Sequence, residues 1–222
     1  MREAFDAELR GLLERIMEMG GLAEAMLGDA VKALHDEDSR RLNDIEERED
    51  RVNKLQIEID ERAVSLTISQ APVARDVRMI FVASRCAADV ERVADQAVNV
   101  AGSVRHWLEA ADRAEVPEEM ATLADAARRA LGDALAAMVI RDVGQARDVL
   151  RREPERNDLR DRVFRELLYE MITSPGTASS ALSLLLVSRN LERVGDHATN
   201  IAEEVIYLVE GRDIRHGHGR RS

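Results

Sequence analysis

Apolar residues return every three or four positions along nearly the whole chain. This pattern predicts six helices, at about 3–36, 39–70, 73–111, 117–140, 142–173 and 177–210. The breaks between them carry local chemistry. Asp38 or Ser39 is suited to cap the second helix, and Pro72 and Pro117 sit at or near helix starts, where a missing N–H does no harm. Ser174-Pro175-Gly176 interrupts the chain, Gly211 closes the last helix, and Gly20-Gly21 marks a place where the first is expected to bend. With only 12 Gly and 4 Pro, the chain lacks the frequent turn signals of a sandwich or barrel. The fold class is therefore all-α.

An internal repeat sets the architecture. Leu27-Gly28-Asp29-Ala30 returns 104 positions later as Leu131-Gly132-Asp133-Ala134, and the same offset pairs Glu49 with Glu153, Asn53 with Asn157 and Leu55 with Leu159. Residues 89–101 (DVERVADQAVNVA) return as 190–202 (NLERVGDHATNIA) at an offset of 101, with seven of thirteen positions identical. A short contraction near Pro72 and Pro175 explains the change of offset. The chain is a tandem duplication of a three-helix unit. It divides into a first repeat at 1–111, a second at 117–211 and a loose basic tail at 212–222.

The third and sixth predicted helices carry the candidate chemistry. On a helical wheel Glu192, Asp196, Asn200 and Glu203 fall within an arc of about 80°. Val187, Val194, Ala198, Ile201, Val205 and Leu208 fill the opposite side, from about 160° to 240°. The third helix repeats the arrangement, with Glu91, Asp95 and Asn99 opposite Val93, Ala97, Val100, Val104 and Trp107. Two carboxylates four residues apart repel each other by a few tenths of a kcal/mol on an isolated helix. A shared cation would remove that cost. Carboxylate and amide oxygens are hard ligands suited to Mg²⁺, Ca²⁺, Mn²⁺ or iron, and Zn²⁺ is also accommodated. The second and fifth helices supply matching pairs, Glu49 with Asn53 and Glu153 with Asn157, so a site at a helix seam would draw on two of them. A solvated acidic face is the alternative that the same spacing allows.

Composition narrows the function classes. A net charge of −11 disfavours general binding to nucleic acid or anionic lipid. The single cysteine, Cys86, leaves no intrachain disulfide and no thiolate cage, and its place on an apolar face makes it a core thiol. The N-terminus carries charge from its second residue, unlike a secretory signal, and the longest uncharged run, 171–188, contains Ser174-Pro175-Gly176 and is a helix junction, not a membrane span. The expectation is a cytoplasmic protein. Neither a phosphate-loop GxxxxGK[ST] nor GxGxxG is present, and there is no HExxH and no Glu-x-x-His pair of the ferritin-like kind. His197 follows Asp196 directly and is read as an ordinary surface histidine, with an added metal ligand as the alternative. Two rivals stay open: a helical spacer without metal, and a di-metal carboxylate enzyme, which needs a pocket and an open metal position.

Three stretches, 47–66 (EREDRVNKLQIEIDERAVSL), 89–101 (DVERVADQAVNVA) and 190–211 (NLERVGDHATNIAEEVIYLVEG), resemble the PhoU family, accessory regulators of the bacterial phosphate-specific transport system. The resemblance runs from about Phe5 to Gly211. It implies two three-helix bundles side by side under a pseudo-twofold axis. It also implies multinuclear metal clusters on the surface, one using Glu49, Asn53, Glu91 and Asp95, the other Glu153, Asn157, Glu192 and Asp196. Asn53 and Asn157 stand where many relatives have Asp, and Pro154 where an acid is common. Asn keeps one neutral oxygen, so the implied binding is weaker. The implied role is negative regulation of phosphate uptake and of the phosphate-starvation response. The implied partners are the transporter's ATPase subunit, a sensor histidine kinase and a second copy of the chain. No catalysis is implied.

Overall fold

The computed structural model describes residues 2–69 and 73–214. Pro72 and the tail from 215 onward lie outside the described residues. Seven α-helices follow in order: α1 (Arg2–Asp36), α2 (Ile45–Ser69), α3 (Ala74–Glu109), α4 (Glu118–Ile140), α5 (Val143–Arg151), α6 (Glu153–Thr173) and α7 (Ala178–Glu210). Two short 3-10 helices, Ser39–Leu42 and Pro175–Thr177, lead into α2 and α7. Among the described residues there is no strand, and no single helix is long and apolar enough to cross a membrane.

The six predicted helices are all present, with two local corrections. The second begins later as an α-helix. Asp38 does act as a cap, its Oδ1 accepting from the Arg40 N–H at 3.0 Å, but the turn it starts is 3-10. Asn43 and Asp44, whose short side chains compete with backbone bonding, precede α2. The fifth is broken at Arg152, giving α5 and α6. Pro154, in the first turn of α6, has no N–H to bond back into α5. Gly20-Gly21 does not interrupt α1. Gly211 ends α7 at φ +70°, its N–H bonded to the Tyr207 carbonyl at 2.9 Å.

The apolar stripes became the core. Val93, Val100, Val194 and Ile201 are fully buried, and Trp107 and Leu208 nearly so. Cys86 is buried and unpaired with another cysteine, and burial pushes its thiol well up. The core runs continuously through both halves, because α3 and α7 pack together more extensively than any other pair of helices. They run antiparallel: Arg85 on α3 donates to both oxygens of the buried Glu204 at 3.2 and 3.3 Å, and Asp89 meets His197 and Asn200 at 2.9 and 3.0 Å.

The repeated Leu-Gly-Asp-Ala has a packing reason. The leucines and alanines are fully buried. A Cβ at Gly28 would touch the Arg128 guanidinium at 3.5 Å, and one at Gly132 would meet Glu24 Oε1 at 3.0 Å. Glu24 and Arg128 are themselves 104 positions apart, so each lies over the glycine of the other half where α1 and α4 cross. The aspartates do a separate job: Arg48 bonds Asp29 at 2.6 Å and Arg152 bonds Asp133 at 2.8 Å, again equivalent pairs. The neighbouring glycines behave differently. A Cβ at Gly20 would fall 2.3 Å from Leu135 Cδ1, whereas Gly21 faces open space. Gly21→Ala is expected to raise stability by about 0.5–1 kcal/mol. Gly20→Ala is expected to lower it, since overpacking costs about 1–3 kcal/mol. Urea denaturation of the two variants reads both signs.

Candidate metal centre

In the first half, α2 presents Glu49 and Asn53 and α3 presents Glu91 and Asp95, all partly buried. The Asn53 amide donates to Glu49 Oε1 at 2.6 Å. Arg92 donates to Asp95 Oδ2 at 3.0 Å and lies 3.5 Å from Glu91. Glu91 is the electrostatic centre. Burial, then the charges of Asp95 and Glu49, push its carboxyl above the ordinary range, while Arg92 and His197 pull the other way. The structure thus brings the three carboxylates of this half within one another's fields. The donor set is oxygen only and crowded with negative charge, which fits a hard divalent cation. Arg92 is the arginine in contact with the set, and it is 61% exposed, free to swing into solvent.

In the second half, α6 carries Glu153 and Asn157 and α7 carries Glu192 and Asp196, with Glu153 acting electrostatically on Asp196. Asp196 keeps contact with solvent, yet partial loss of hydration, then the charges of Glu192 and Glu153, push its carboxyl upward. Here arginines stand among the acids. Arg160 pairs with Glu192 Oε1, and Arg189 donates to Glu192 Oε2 at 2.9 Å. Arg156 is buried between the two helices, beside Gly195. Among the described residues, no three acidic, His or Cys side chains converge on one point in metal-ligand geometry in either half. Glu49, Glu91, Asp95 and Glu192 are engaged by local amide or guanidinium partners.

Three features escaped the sequence reading. Arg156 falls on the apolar face of α6 with Leu159, Val163 and Leu167, and comparison with Val52, its partner in the repeat, would have exposed it. His197 is a seam residue tied to Asp89 of the other half. The third is a pair of apolar tips. Val64, Ile68 and Phe81 are 57–79% exposed around the α2–α3 connection, and their equivalents Leu168, Ile172 and Leu182 are 42–70% exposed around the α6–α7 connection. Because α3 and α7 are antiparallel, the tips lie at opposite ends of the seam. A separate groove of about 660 Å³, lined by Leu34, Trp107, Arg113 and Met120 among others, includes none of the eight candidate ligands.

Two pseudo-symmetric three-helix units, with acidic pairs and apolar tips on the outside, define an all-helical protein built to present surfaces. The chain belongs to the PhoU family: the PhoU domain matches residues 16–104 and again 120–205. It is 35% identical over 217 residues to the phosphate-specific transport system accessory protein PhoU homolog of Pseudomonas putida, covering 96% of this chain and 84% of that protein. It is 31% identical to the phosphate-specific transport system accessory protein PhoU of Escherichia coli, over 97% and 89% of the two chains. The crystal structure of PhoU from Pseudomonas aeruginosa superposes with a TM-score of 0.90 at 34% identity, covering 94% of this chain and 100% of that one.

Proposed function

We propose that this chain is an accessory regulator of phosphate-specific transport that acts by docking and catalyses no reaction. The observation that carries the reading is the near end-to-end similarity to transport accessory proteins, with the domain present twice. In this reading it works in the cytoplasm as a homodimer, restrains phosphate uptake and the starvation response, and contacts the transporter's ATPase subunit and a sensor histidine kinase. The apolar tips support docking, since exposed apolar clusters of this kind mark interaction sites. A hard divalent cation held by Glu49, Asn53, Glu91 and Asp95 would neutralise the crowded carboxylates and shape the adjoining surface without entering the core.

The test is a starvation-gene reporter in phosphate-rich medium, combined with a pull-down. Deleting the gene is expected to leave the reporter on, and restoring the chain to turn it off. The tagged chain is expected to retain the ATPase subunit and the histidine kinase. Normal repression in a strain lacking every copy of the family would contradict the reading.

A further inference from the structure

We propose that the second half uses arginines in place of a metal ion: Arg160 and Arg189 hold both oxygens of Glu192, Arg156 is buried between α6 and α7, and metal binding is confined to the first half. This rests on the reading of Glu49, Asn53, Glu91 and Asp95 as a cation site. Arg156 is 6% exposed. Its Nη2 donates to Thr199 Oγ1 at 3.0 Å and to the Gly195 carbonyl at 3.4 Å, and its Nη1 donates to the Val149 carbonyl at 3.4 Å. Burial acts against its charge, and the nearby carboxylates of Glu153 and Asp196 favour it.

The place is built for the guanidinium. A Cβ on residue 195 would come within 2.8 Å of Arg156 Nε, so glycine makes the room. Thr199 supplies a hydroxyl acceptor. The equivalents in the first half are Val52, Ala94 and Val98, which offer no cation, less room and no acceptor. Three positions on two helices therefore differ together. Two more act on Glu192: Arg160 and Arg189 occupy both its oxygens, and their equivalents are Gln56 and Ala88.

Charge balance follows. In the first half, among the described residues, Arg92 is the one arginine that contacts Glu91 and Asp95 and none contacts Glu49, leaving an excess of negative charge for a divalent ion. In the second half Arg189 and Arg160, the latter also paired with Asp161, contact Glu192, and the buried Arg156 lies in the field of Glu153 and Asp196. A metal entering there would have to displace Arg160 and Arg189 from Glu192 against the field of the buried, hydrogen-bonded Arg156.

The experiment uses the full chain, Mn²⁺ as the probe, equilibrium dialysis with elemental analysis, and melting with and without Mn²⁺. Glu192→Ala with Asp196→Ala is expected to keep the wild-type metal content. Glu91→Ala with Asp95→Ala is expected to lose it. In that second background, Arg156→Val with Arg160→Gln, the residue types of the first half, is expected to gain Mn²⁺ and a Mn²⁺-dependent rise in melting temperature. Arg156→Gln with Arg160→Gln, which keeps a donor for Thr199 without the charge, is a second route to the same gain and guards against misfolding of the first. Metal lost equally from both acid double variants, or retained by the Glu91/Asp95 variant with Arg156 intact, overturns the proposal. So does the absence of any gain in folded Arg156 variants. Wild type free of Mn²⁺ together with a gain in the Arg156 variants would reject the first-half cation site while sustaining the role of Arg156.

Discussion

Trp107→Ala is expected to lower the unfolding free energy by about 3–5 kcal/mol. The ring is almost wholly buried near the end of α3 and anchors the segment between the halves. Its Nε1 donates to the Ala114 carbonyl at 3.0 Å, and Arg113 lies over the ring at 4.9 Å. The Ala114 N–H in turn donates to Ser180 Oγ at 2.8 Å, and Ser180 Oγ donates to the Asp112 carbonyl at 2.9 Å. Truncation leaves a cavity and strips the connecting segment of its hold on α7. Trp107→Phe keeps most of the packing and loses the N–H, so about 1–3 kcal/mol is expected for the unsatisfied carbonyl. Urea titrations of the three proteins check the order. A loss below 1 kcal/mol in the alanine variant would show that the segment is not anchored this way.

Glu91→Ala with Asp95→Ala is expected to abolish stabilisation by Mn²⁺. For a single site, wild type gains about 2.7 kcal/mol when the free ion is at 100 times its Kd, and the variant gains none. Without metal the variant is expected to be no less stable than wild type, because mutual repulsion is removed with the carboxylates. The pH dependence has a definite sign. The Glu91 carboxyl is raised in the folded protein, so its contribution to stability is complete below the ordinary glutamate range and is lost as pH rises through the raised value. The Glu91 contribution to metal-free wild type is therefore lost over that window on going from acid towards neutral pH, and Glu91→Gln removes this component. Bound cation opposes the same loss. Melting curves across that window, with Mn²⁺ and with chelator, separate the contributions.

The helices, the duplication and the buried stripes were legible because they are properties of single helices. A period near 3.6 records which face a residue shares, and Val93, Val100, Val194 and Ile201 had to be inside whatever they packed against. The repeat told that both halves fold alike. It could not tell why Leu-Gly-Asp-Ala was copied, since the glycine matters only where α1 meets α4 and the aspartate only where an arginine of the next helix reaches it. The break at Arg152 was signalled by Pro154, whose effect was masked by strong periodicity on both sides.

The acidic pairs show the same division more sharply. Spacing along the chain put Glu91 with Asp95 and Glu192 with Asp196, and the copies looked equivalent. Their difference lies between helices: Arg160 on α6 pairs with Glu192 of α7 and Arg156 is buried against Thr199 of the same helix, while Val52 and Gln56 at the matching places on α2 bring no charge. Sequence alone determined an all-helical, duplicated protein with two acidic stripes, because periodicity is a one-dimensional record of burial. Tertiary structure decided which arginines reach which stripe, Arg92 the first and Arg160 and Arg189 the second, because interhelical distance is set by packing and Coulomb energy depends on that distance.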